Sequence, residues 1–225
     1  MLKIISLVIL LIQLAACSST KSPSIEEDSN RNIKTAKINS QLGITYLEQG
    51  NVQRAKQKLL LALSEGPNIP ETWYSMAYFY EATGNHQQAK TYYLKAVSIA
   101  PHRGDVQNNY GTFLCRSGDY HGAIQRFLLA VKDTNYLNPA AAYENAGLCA
   151  LKIPDATLAS HYFNQALLQD ATRPTSLLQL AELNYKKGNY TIAKEKLSQF
   201  LAVSAPTIQS VTLENRLEKQ STVIR

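Results

Sequence analysis

Trp73-Tyr74-Ser75-Met76-Ala77-Tyr78-Phe79-Tyr80, then Thr83-Gly84-Asn85, then Ala89, Tyr93, Ala96 and Pro101, decide the fold, because the chain writes this pattern five times. Met76–Tyr80 corresponds to Leu42-Gly43-Ile44-Thr45-Tyr46 before it and Tyr110-Gly111-Thr112-Phe113-Leu114 after it. Ala146-Gly147-Leu148-Cys149-Ala150 and Leu180-Ala181-Glu182-Leu183-Asn184 follow. The step is 34 residues throughout, except for one of 36 between the third and fourth copies. A second signature keeps pace: Ala55, Ala89, Ala123, Ala159 and Ala193, each followed four residues later by Leu59, Tyr93, Phe127, Phe163 or Leu197. Between the two signatures stand Gly50, Gly84, Gly118 and Gly188, each followed by Asn or Asp.

Two signatures per period predict two helices per repeat. The small residue on the first helix admits the second at close range, and the aromatic or leucine fills the space between repeats. A turn glycine takes the left-handed conformation without a Cβ penalty, and Pro67, Pro101 and Pro206 close repeats one, two and five. This pattern resembles the tetratricopeptide repeat. The expected fold is all-α: a tetratricopeptide-repeat superhelix (an α-α solenoid) of about five repeats plus a C-terminal helix. The repeats run over about 36–69, 70–103, 104–139, 140–173 and 174–206, with a capping helix and tail at 207–225. Repeat four is irregular, with Pro154 replacing the turn glycine and a longer approach through Asp133–Pro139.

The amino terminus addresses the chain. Lys3, the apolar run from Ile4, and Leu14-Ala15-Ala16-Cys17 read as a signal peptide over residues 1–16, too short for a permanent span. The last four residues resemble the bacterial lipobox. That resemblance implies that Cys17 is acylated with a diacylglycerol and an N-acyl chain and becomes the first mature residue. An ordinary secretory signal that happens to contain a cysteine is the alternative. Ser18, where a retention signal would place Asp, implies the periplasmic face of the outer membrane. Residues 17–32, with Ile25 as the one apolar side chain after Cys17, are expected to be a flexible tether.

The formal charge of +6 is dispersed, with Glu26-Glu27-Asp28 the longest run of one sign, so nucleic-acid binding is not expected. Cys115 and Cys149 fall on small, apolar helix positions and are expected as buried free thiols, although bridging would be feasible with Cα atoms within about 7 Å. His86, His102, His121 and His161 lack the i, i+4 spacing of a helical metal site. There is no phosphate loop and no nucleophile elbow. No enzyme activity, resident cofactor or small-molecule substrate is expected.

Tetratricopeptide arrays hold partners on the concave wall made by their first helices. Counting from each packed small residue places Ile44, Tyr74, Tyr78, Asn108, Asn109, Thr112, Arg116, Glu144, Asn145 and Leu148 on that wall. Asn109 and Asn145 share a register one repeat apart and could grip a partner backbone, an amide being both donor and acceptor. Capping or solvating their own helices is the plainer role for Asn108 and Asn109. Tyr74 and Tyr78 offer rigid amphipathic contact area. Glu71, Glu81, Glu144 and Glu182 are read as carboxylates serving solubility or peptide contact.

The lipobox, tether and repeats together resemble the PilF/PilW pilotin lipoproteins of type IV pilus biogenesis, most narrowly at Asn108–Leu114 and Tyr143–Leu148. The resemblance implies a lipid-anchored outer-membrane protein that binds the pilus secretin and promotes its localisation and ring assembly. The alternative is an envelope scaffold that recruits peptidoglycan enzymes or supports outer-membrane protein insertion.

Overall fold

The computed structural model describes residues 25–153 and 155–223, so Cys17, the signal peptide and Pro154 lie outside the described residues. Eleven helices follow one another in this span: α1 (Ile25–Glu48), α2 (Val52–Glu65), α3 (Pro70–Ala82), α4 (His86–Ile99), α5 (Gly104–Arg116), α6 (Tyr120–Ala130), α7 (Pro139–Ala150), α8 (Ala156–Gln169), α9 (Pro174–Lys186), α10 (Tyr190–Val203) and α11 (Ile208–Val223). They pack as five antiparallel pairs, α1/α2 through α9/α10, with α11 laid against the last. The arrangement is an α-α solenoid.

Local chemistry fixes both ends of these helices. Asn51, Asn85 and Asp119 cap α2, α4 and α6, each side chain accepting a hydrogen bond from the backbone N–H three residues on, and Asp155 does the same for α8. Pro70, Pro139 and Pro174 open α3, α7 and α9, where a missing N–H costs nothing. Gly84 sits at φ +82°, in the left-handed region that a turn of three residues between helices demands, and its counterparts in the other glycine turns do the same.

Packing within a pair depends on the small residue. A Cβ placed on Gly147 would lie 2.7 Å from two ring carbons of Phe163, which is itself fully buried. Ala77 and Ala181 occupy the same register in repeats two and five. One apolar cluster then runs from Ala77 through Tyr93, Tyr110, Phe127 and Phe163 to Leu183, joining repeats two to five. Tyr93 meets Phe113 at 5.0 Å and Tyr110 at 6.0 Å, so the aromatic of one pair is buried against the first helix of the next. In α11 the register of the small residue holds exposed Asn215, while Leu213 and Leu217 are buried against the last pair. An Asn there does not offer the flat contact a further second helix needs, which suits a polar end to the stack.

Two expectations are corrected. Helix α1 begins at Ile25, inside the segment read as tether, because a helix nucleated by its packed half extends at little further cost. Cys115 and Cys149 are not free thiols. They form a disulfide, with Cα atoms 5.8 Å apart, that joins the first helices of repeats three and four. The two extra residues between these repeats set the cysteines in different registers, four residues after Gly111 and two after Gly147. The first therefore faces forward and the second back, and they meet between α5 and α7.

Candidate protein-binding groove

The first helices α1, α3, α5, α7 and α9 form the wall on which the candidate residues lie, and neighbouring members of the series pack on one another. In repeat one Ile44 and Leu47 are half-buried, Leu47 against the Ala55–Leu59 cluster, and Ser40 is buried.

Repeats two and three turn their polar side chains on each other. Arg103, the residue just before α5, binds Glu71 of α3 at 2.9 Å and also pairs with Asp105 in the first turn of α5; Lys37 of α1 reaches Glu71 at 3.5 Å. Burial opposes charge on Glu71 and Asp105, yet hydrogen bonds and the field of the Arg103 guanidinium hold both carboxyls below their ordinary range. The Tyr74 hydroxyl donates to Asp105 at 3.3 Å, and burial followed by the Asp105 charge raises its phenol well above the usual value. Further along, Arg116 clasps Glu81 with two hydrogen bonds of 2.6 and 2.8 Å and lies 5.9 Å from the ring centre of Tyr78. Tyr93 donates to the same carboxylate at 3.2 Å.

Glu144 is the clearest departure from the sequence reading. It is 7% exposed, and it accepts from Arg173 at 2.6 Å and from the Ser176 backbone N–H and hydroxyl at 3.1 and 2.8 Å. It braces repeat four against repeat five rather than facing a partner. Glu182 does the same one repeat later, through Arg216 of α11 at 2.6 Å. Each of the four glutamates read as serving solubility or peptide contact therefore holds an arginine that stands later in the chain, at a repeat boundary or beyond it. The signal that could have shown this is the arginine register: Arg103 and Arg173 both stand eight residues before the packed small residue.

The asparagines pair in a different combination from the one their registers suggest. Asn145 donates to Asn108 across the repeat junction at 3.0 Å, whereas the Asn109 amide is turned on the Asp105 carbonyl of its own helix at 2.9 Å. Thr112 donates to the Asn108 carbonyl at 2.9 Å. Asn145 keeps its carbonyl oxygen for other contacts, and Leu148 is 36% exposed beside it. The wall is thus open from Asn145 onward and closed on itself before that. Among the described residues, no group of three His, Cys, Asp or Glu side chains is placed to hold a metal ion.

Known proteins match both the repeat and the whole array. Tetratricopeptide-repeat family models match residues 70–103 and 175–203. The chain is 31% identical over 179 residues to the type IV pilus assembly protein PilF of Pseudomonas aeruginosa, a match spanning 80% of this chain and 71% of that protein. It is 35% identical over 148 residues to an uncharacterised protein of Haemophilus influenzae, covering 66% and 80% of the two chains. The solved structure of Pseudomonas aeruginosa PilF superposes with a TM-score of 0.77 at 30% identity, over 85% of this chain and 86% of that one. PilW, a widely conserved type IV pilus biogenesis factor, superposes at 0.71 with 25% identity, over 82% and 84%.

Proposed function

The chain belongs to the PilF/PilW family of tetratricopeptide-repeat proteins of type IV pilus biogenesis, and from that premise we propose that it is the pilotin of its pilus system. In this reading a lipid on Cys17 anchors it to the periplasmic face of the outer membrane. The first-helix wall holds a segment of the pilus secretin, and the protein brings that subunit to the membrane where the ring assembles. It works by binding and placing a polypeptide, without chemistry of its own. The observation that carries the reading is the likeness to PilF over most of both folds, joined to a wall with open contact positions from Asn145 to Lys186.

The physics of the division of labour is simple. Two or more acyl chains hold a protein on a membrane where a single chain exchanges. A tethered groove raises the local concentration of its partner at the bilayer, and a bound subunit keeps its unpaired strand edges from other copies. The test is Cys17→Ser in a strain with an intact pilus system. Secretin multimers are expected to fall and the secretin to accumulate as monomer away from the outer membrane. Normal multimers at the outer membrane in that strain would refute the pilotin assignment.

A further inference from the structure

This inference deepens the pilotin reading and rests on it: we propose that repeats four and five accept an extended, carboxylate-bearing segment of the partner polypeptide, read by Lys152, Lys186 and Lys187. The first helices α3, α5, α7 and α9 carry five carboxylates: Glu71, Glu81, Asp105, Glu144 and Glu182. Every one is engaged by an arginine, and Arg103 serves two of them with Lys37 alongside. Those groups cancel. What remains at the ends of these helices is the three lysine ammonium groups, all exposed and none in an ion pair among the described residues. From α3 to α9 the uncompensated charge is therefore positive and confined to the far half, while Glu48, a carboxylate at the end of α1 with no ion pair among the described residues, stands at the opposite end of the wall.

The register of the charge is equally particular. Five residues beyond the packed small residue, the five repeats read Glu48, Ala82, Arg116, Lys152 and Lys186. Arg116 is closed by Glu81, which leaves Lys152 and Lys186 as successive free cations on one line. Packed helices lie about 8–10 Å apart, and three residues of polyproline II advance about 9 Å. An extended ligand with an acid at every third residue matches that step. Asn145 and Leu148, between Arg116 and Lys152, offer it a backbone hydrogen bond and an apolar contact. A flat anionic bilayer fits a concave wall poorly, whereas a single extended chain follows it.

The test titrates fluorescent (Glu-Pro-Pro) repeat peptides against the full-length protein in detergent and reads anisotropy, with (Gln-Pro-Pro) peptides as the neutral counterpart. Binding of the acidic peptide is expected, weakening with added salt, and the neutral peptide is expected to stay free. Lys152→Glu with Lys186→Glu should lower affinity for the acidic peptide by about tenfold or more, since attraction becomes repulsion at two sites. The Arg pair at the same positions should retain binding, and Lys90→Glu on α4 should change nothing. Equal binding of both peptides, unchanged binding by the reversed variant, or capture of phosphatidylglycerol vesicles by these lysines in preference to peptide would overturn the inference. A strain lacking the whole protein supplies the separate check: normal secretin rings there would remove the pilotin reading, while the titration alone decides what the lysines bind.

Discussion

Repeats two and three and repeats four and five build the same wall from the same register, and use it in opposite ways. In the first half Tyr74 pairs with Asp105, and Arg116 with Glu81 and Tyr78, so the wall there is tied to itself and nearly neutral. In the second half the glutamates are tied to Arg173 and Arg216, Leu148, Lys152 and Lys186 are exposed, and the half-buried Asn145 keeps its side-chain oxygen free. The Cys115–Cys149 disulfide lies at the seam between the halves. A groove position is therefore not by itself a binding position. What decides is whether the neighbouring repeat presents a partner for the side chain.

The sharpest way to break this contrast is Glu144→Ala. It would leave Arg173 and the Ser176 N–H without their buried acceptor, and a loss of about 3–5 kcal/mol is expected in urea unfolding. If Glu144 were instead a partner contact, stability would hold and only binding would fall. Next in size is Cys149→Ser. Removing a bridge that closes a loop of one repeat costs about 2–4 kcal/mol on chain-entropy grounds, and the midpoint of thermal unfolding should drop accordingly. An unchanged midpoint, together with alkylation of both Cys115 and Cys149 in the unfolded wild type without any reductant, would deny the bridge.

A third prediction concerns pH. The carboxyls of Glu71 and Asp105 are held low in the folded state, so the stability they contribute is present above their unfolded values and drains away as pH falls through the folded ones. Between about pH 5 and pH 3 the wild type should lose more stability than Arg103→Gln, whose two carboxyls no longer carry that shift. Parallel curves would separate Arg103 from the acid response. Smallest in stability is Lys152→Ala, expected to move the unfolding free energy by no more than about 0.5 kcal/mol because the ammonium has no partner to lose. The contrast is with Glu144, eight residues earlier in the same repeat.

Much of the fold was legible because its determinants are local. A glycine or alanine against a ring, an Asn after a turn glycine and a proline at a helix start each act within one repeat, and each leaves a mark at a fixed spacing. The start of α1 was misplaced because helix propagation depends on the packed half downstream more than on the composition of the first turns. The wall residues were legible only as a face. Which of them were free could not be read, since that depends on contacts between repeats.

The sequence by itself determined the repeat, its length, its helix pairs and the residues that share the concave register, since periodic packing against a neighbour of the same kind must be written periodically. Only the tertiary structure decided that Glu144 braces Arg173, that Asn145 reaches Asn108 rather than Asn109, and that Cys115 meets Cys149. Long side chains and thiols choose partners by the stagger between stacked repeats. That stagger shifts at the two-residue insertion before repeat four, where counting along the chain no longer says which atoms are close.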